Sequence, residues 1–169
     1  PRLRNAARTI PKVGHEDDEE IIQDCTLQAA RMMDSAEKAG HPITAGNASG
    51  INDGAAAVVL MERSAAEKRG LKPMARLISY GHAGVDPKFM GIGPVPAVQK
   101  ALARADLKVN DMDVIESNEA FAAQACAVSK DLGFDAKKTN PNGGAVALGH
   151  PIGATGAILT IKALYELER

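Results

Sequence analysis

A chain of 169 residues, 45% apolar and 24% charged, has the material for one buried core with an extra arm. A formal net charge of −1, only 3% aromatic residues and no basic stripe exclude nucleic acid as an expected partner. No apolar run approaches a membrane span and no secretory leader opens the chain, so a cytoplasmic protein is expected.

The chain starts with proline rather than methionine, so it is expected not to begin where translation does. Arg2, Arg4, Arg8 and Lys12 precede an acidic run over 16–20, which reads as a frayed arm. Ile22, Cys25, Ala29, Met32, Met33 and Ala36 then recur at helical spacing, with Gly40 just past the end. Residues 1–43 are therefore read as an arm plus one amphipathic helix, whose methionine stripe is packing surface. After a polar loop over 47–52, the apolar run 54–61 predicts a strand covered on both faces. Ser64 and Glu67 have capping-box spacing and Gly70 supplies a stop, predicting a short helix between them. A second strand is predicted over 76–81. Pro94 and Pro96 open a helix that carries Val98, Ala101, Leu102 and Ala105 on one side. A third strand is predicted over 112–116, and a helix from about Glu119 to Leu132. That helix is small or apolar on every side except at Gln124, so it should be the most buried element. A last helix, about Ala154 to Glu168, should turn Ala157, Ile158, Ile161, Leu164 and Tyr165 inward. Strands alternating with helices predict an α/β fold with mostly parallel pairing, and the buried helix suggests a central helical layer.

The segment from Asn142 to Ala157 carries the clearest chemical signal. It places His150 among glycines 143, 144, 149, 153 and 156, and Pro151 pushes His150 toward an extended backbone. The imidazole is thus expected at a strand-to-helix corner, where α/β proteins keep active sites. A tight turn with a structural histidine accounts equally for these residues taken alone. The glycines lack both a following Lys-Ser or Lys-Thr pair and dinucleotide-fingerprint spacing, so a phosphate loop is disfavoured. His15, His41, His82 and His150 show no paired ligand spacing, and no metal site is expected. Cys25 and Cys126 read as reduced, buried packing thiols. Asn118 by itself reads as a helix N-cap, and the 47–52 loop as a polar turn.

Three segments in order resemble the C-terminal half of a thiolase: Ala45-Gly-Asn-Ala-Ser-Gly-Ile-Asn-Asp-Gly-Ala55, Glu116-Ser-Asn-Glu-Ala-Phe-Ala-Ala-Gln-Ala-Cys126, and Asn142 to Ala157. Gly91-Ile-Gly-Pro-Val-Pro96 is also similar, within the acetyl-CoA acetyltransferase and β-ketothiolase branch. The similarity is seen over 44–169, read as an incomplete thiolase C-terminal domain, while residues 1–43 do not fit the family pattern. It implies a layered α-β-α fold, here lacking the last two of its five strands, expected beyond Arg169. It implies acyl transfer between coenzyme A thioesters through a cysteine acyl-enzyme, with no further cofactor. By the resemblance, His150 activates the nucleophilic cysteine and helps hold a thioester oxygen, while Asn118 positions a water in the same oxyanion hole. Ser49, Ala45 and Ala48 match the loop along the pantetheine arm, with Ala120 and Phe121 on the opposite wall. The nucleophile belongs to an N-terminal half, and the second catalytic cysteine to a Cys-x-Gly-Gly-Gly stretch. Neither is found, so the partner is expected to be the missing half or a sibling chain, in a homo-oligomer, and the isolated chain is expected to be inactive. Glu37 stands where an aromatic wall residue belongs. Two other readings are a non-catalytic coenzyme A binding or interaction module, and a nucleotide-binding α/β domain, which fits the glycines but not their spacing.

Overall fold

A computed structural model describes Gly40 and residues 43–169, which fall in two units divided between Asn47 and Ala48. The arm and the helix expected over 22–36 lie outside the described residues, as does Cys25. In the first unit, Asn47 closes a turn around Ala45: its Oδ1 accepts from Thr44 N at 2.6 Å and its own N–H donates to Thr44 O at 3.2 Å.

The second unit holds five α-helices: α1 Arg63–Lys68, α2 Pro94–Ala105, α3 Ala122–Leu132, α4 Ala145–Leu148 and α5 Thr155–Glu168. Short 3-10 helices cover Pro87–Ile92 and Val109–Asp111. α1 ends as its sequence dictates. Gly70 takes φ +65°, Leu71 N reaches Ala66 O at 3.0 Å and Gly70 N reaches Glu67 O at 3.0 Å, the paired bonds of a Schellman end. Its start differs from expectation, because Glu62 is the N-cap and has no side-chain cap bond. Ser64 lies inside the helix, and Glu67 is drawn instead to Arg63 Nε at 2.8 Å. α2 begins on Pro94, whose missing N–H costs nothing in a first turn, and ends at Asp106 with φ 55°. α3 starts later than the sequence suggests, since Phe121 is extended and bridges Ala48.

α2, α3 and the 87–92 turn pack together, and Gln124 Nε2 donates to Gly91 O at 3.0 Å to pin the group. Only one side of α3 is covered. Val128 is 1% exposed, while Ala123 and Cys126 are exposed, so neither a fully buried α3 nor a buried Cys126 is found. The outer face of α3 has no packing partner among the described residues. Tyr165 of α5 is likewise exposed rather than inward.

The predicted strands form no ladder. Pairing among the described residues is limited to single bridges: Ala48 with Phe121, antiparallel; Ile51 with His150, parallel; and Ile115 with Thr139, parallel. Among the described residues nothing forms a strand pair with 54–61 or 76–81, and Val59 is 84% exposed. A strand is completed by a neighbour, so an apolar run lacking one carries the composition of a sheet centre without its hydrogen bonds.

Candidate active site

Three chain segments meet around His150. The first is the loop over 50–52, the second the stretch from Ile115 to Phe121, and the third the glycine-rich bend leading into α5.

Asn140 holds the second segment in place. Ile115 N donates to Lys138 O and Asn140 N to Ile115 O, each at 2.8 Å. The Asn140 side chain then continues the pairing that backbone has begun. Its Oδ1 accepts from Ser117 N at 2.8 Å, and its Nδ2 donates to Ser117 O at 2.9 Å and to Glu119 Oε1 at 3.1 Å. Asn140 sits at φ 49°, a conformation asparagine tolerates better than most residues. Glu119 Oε2 accepts from Val146 N at 3.1 Å, in the first turn of α4, and a Cβ on Gly144 would overlap this carboxylate. Residues 117 and 119 are thus tied down on both sides of Asn118. The Asn118 side chain is what remains to act.

His150 is set by its neighbours from two directions. Its N–H donates to Gly50 O at 3.0 Å, fastening the backbone beside Ile51. Gly149 precedes it at φ 98°, and a Cβ there would run into the Asn52 side chain, so this glycine is required by both conformation and space. On the ring, Nδ1 lies 2.7 Å from Thr155 Oγ1 and Nε2 lies 3.4 Å from Asn118 Nδ2. The ring is half-buried. The corner predicted from Pro151 therefore exists, formed by a single bridge rather than a full strand and followed by the start of α5.

Beneath the bend, Lys162 Nζ binds Glu116 Oε2 at 2.9 Å and Gly143 O at 2.6 Å. This pair joins α5 to the segment bearing Asn118. Four buried side-chain oxygens nearby have no hydrogen-bond partner among the described residues: Asn52 Oδ1, Glu116 Oε1, Asn118 Oδ1 and Gln124 Oε1. A cleft of about 380 Å³ opens beside Asn118, Ala120 and Gln124, with α2 residues Val98 and Leu102 on its apolar wall.

Ser49 and Ala48 meet Ala120 and Phe121 directly. Ser49 N and Oγ both donate to Ala120 O, at 3.1 and 3.0 Å, and Ala48 bridges Phe121. Phe121 is 43% exposed. Ala45 belongs to the other unit, in the turn closed by Asn47. Sequence reasoning picked out His150, Asn118 and the glycines around the bend, Gly144 among them, but missed the side chains that orient the pair: Asn140, Glu119 and Thr155. A Thr-Asn-Pro-Asn-Gly-Gly run is a turn signal that pointed to Asn140, and Glu119 sat unweighed within its motif. Among the described residues no cluster of three or more His, Cys, Asp or Glu side chains is placed to hold a metal ion. No helix among them is long and apolar enough to cross a membrane.

Two family models match the chain: the thiolase C-terminal domain over residues 71–169 and the thiolase N-terminal domain over residues 8–64. The second match takes in residues ahead of Thr44, where the recognisable motifs begin, and includes the loop bearing Ser49. The chain is 63% identical over 158 residues to the beta-ketothiolase BktB of Cupriavidus necator, covering 93% of this chain and 40% of that protein. It is 54% identical over 153 residues to the acetyl-CoA acetyltransferase of Shinella zoogloeoides, covering 90% and 39% respectively. Among solved structures, the Bacillus anthracis acetyl-CoA acetyltransferase superposes with a TM-score of 0.74 at 55% identity, over 76% of this chain and 32% of that one. The human mitochondrial 3-ketoacyl-CoA thiolase in complex with CoA gives 0.68 at 44% identity, over the same 76% and 32%. The architecture is accordingly the α/β one of these structures, represented by a mostly helical part with little strand. The chain spans about 40% of the length of the curated relatives it matches.

Proposed function

The chain belongs to the thiolase family, and on that premise we propose that it carries the histidine base and part of an oxyanion hole for acyl transfer between coenzyme A thioesters. The observation that carries this reading is the 3.4 Å approach of Asn118 Nδ2 to His150 Nε2, which joins two motifs distant in sequence. Removing a proton α to a thioester, or adding a thiolate to it, builds negative charge on the carbonyl oxygen, and preorganised donors lower that barrier by about 3–4 kcal/mol each. His150 is the base that takes the proton of a nucleophilic cysteine, and its Nε2, once protonated, is a donor to the thioester oxygen. Asn118 supplies its amide oxygen. Buried and unpartnered, Asn118 Oδ1 calls for a donor, and a water donating to it has a second hydrogen for the thioester oxygen. Ser49 has its hydroxyl hydrogen engaged by Ala120 O, so Ser49 Oγ is left to accept from an amide such as those of a pantetheine arm. Ala48 precedes it, and Ala120 and Phe121 form the facing wall. Cys126, on the exposed face of α3, is not given a catalytic role. The nucleophile and second catalytic cysteine are assigned to a complementary thiolase segment, within a cytoplasmic homo-oligomer that uses coenzyme A thioesters and no further cofactor.

The test is a chimera in which this chain replaces the matched segment of the Cupriavidus necator beta-ketothiolase. The chimera should cleave acetoacetyl-CoA with free coenzyme A. His150→Ala should lower its rate by about 10²–10⁴-fold, and Asn118→Ala should chiefly slow condensation. The 169-residue chain offered the same substrates should show neither turnover nor an acetylated cysteine by mass. A folded but inactive chimera, an active His150→Ala variant, or acetyl on Cys25 or Cys126 would each refute the assignment.

A further inference from the structure

We infer that Thr155 is a positioning residue: it holds His150 in the tautomer with hydrogen on Nδ1, leaving the Nε2 lone pair toward Asn118. This deepens the reading of His150 as a base and rests on it.

The argument is a count of hydrogens. A threonine hydroxyl has one hydrogen to donate. Thr155 Oγ1 lies 3.0 Å from Pro151 O, a carbonyl that can only accept, so the hydroxyl hydrogen points there. Toward His150 Nδ1, at 2.7 Å, the same oxygen is therefore an acceptor, and Nδ1 must carry the hydrogen. A neutral imidazole has a single N–H, so Nε2 holds a lone pair. The other side of the ring gives the same answer independently. Asn118 Nδ2 can only donate, and it faces Nε2 at 3.4 Å. With the hydrogen on Nε2 instead, two donors would face each other there, and the Thr155 hydroxyl would have to leave Pro151 to serve Nδ1.

The arrangement is fixed by the fold. Thr155 is 8% exposed, so solvent does not compete for its hydroxyl. Its backbone N–H also binds Pro151 O, at 3.0 Å, which anchors the first residue of α5 against the bend that carries His150. An imidazole free in water favours hydrogen on Nε2, which as a base would present the wrong atom to a thiol on the Asn118 side.

Long-range ¹H–¹⁵N correlation of the full chain labelled at histidine reads the tautomer directly, at a pH where the ring is neutral. The His150 signals are identified by their loss in His150→Gln. In the unsubstituted chain Nδ1 should give a protonated-nitrogen shift and Nε2 a lone-pair shift. Thr155→Val, which keeps the shape without the hydroxyl, should move the ring mainly to the Nε2–H form, and Thr155→Ser should restore the original pattern. An Nε2–H ring in the unsubstituted chain overturns the inference whatever the variants do. So does a folded Thr155→Val protein with an unchanged pattern. In the chimera, Thr155→Val should cut kcat at least about 10-fold with KM little changed, as a wrong tautomer does elsewhere. If His150→Ala leaves the chimera active, the base assignment fails while the tautomer measurement stands on its own.

Discussion

The carboxylate of Glu119 occupies the space a side chain at Gly144 would fill, and from there its Oε2 accepts the Val146 amide at 3.1 Å. The other oxygen takes a hydrogen from Asn140, so one acidic side chain ties the segment bearing Asn118 to the bend bearing His150. Gly144→Ala should push this carboxylate out. The expected loss is about 1–3 kcal/mol for overpacking, seen as a lower urea midpoint. Glu119→Ala removes the obstacle, so the double variant should cost clearly less than the sum of the singles. Strict additivity would mean that the two residues do not share the space described.

Lys162 neutralises a carboxylate with almost no access to water: the Glu116 side chain is 3% exposed, and that of Lys162 20%. Lys162→Met should destabilise the chain by about 3–5 kcal/mol, because it strands a buried charge. Adding Glu116→Gln should recover a substantial part. Equilibrium unfolding of the single and double variants decides this, and equal stability of Lys162→Met and the unsubstituted chain would disprove it.

Glu166 has its pKa lowered from the usual 4.5, first by the hydrogen bond from Asn142 and further by Arg169, while desolvation acts the other way. Asn142 Nδ2 donates to Glu166 Oε2 at 2.7 Å, and Arg169 Nη1 lies 3.2 Å from the same oxygen. A depressed carboxylate pKa stabilises the fold above the unfolded value, and that contribution fades as pH falls through the lower, folded one. The effect should therefore appear only below about pH 4.5. Asn142→Ala should raise the Glu166 titration midpoint followed by carboxyl ¹³C shifts. A midpoint that stays put would show that Asn142 is not the main cause.

Val59 is 84% exposed, Leu60 79% and Leu77 70%, in segments that form no strand pairing among the described residues. Unpaired apolar backbone of this kind is a template for another strand. The purified chain should self-associate as its concentration rises, measured by light scattering on a sizing column. Val59→Lys combined with Leu77→Lys should reduce that association. A concentration-independent monomer would refute the expectation.

Features decided by near neighbours in the chain were legible in the sequence. Gly70 ends α1 because it takes a positive φ without strain, while Pro94 opens α2 and Pro151 keeps His150 out of the following helix because proline fixes φ, lacks a donor and restricts the residue before it, whatever surrounds them. The motifs around Asn118 and His150 were visible for a similar reason, since their unusual residue types show before any fold is known. Tertiary structure alone decided that Glu67 binds Arg63 rather than capping a helix, that α3 covers one face and exposes Cys126, and that Glu119 needs Gly144 bare. The same holds for strand pairing and for the hydrogen on His150. An apolar run specifies a surface to be covered without naming its cover, and an imidazole holds its hydrogen where Thr155 and Asn118, remote from each other in sequence, jointly require it.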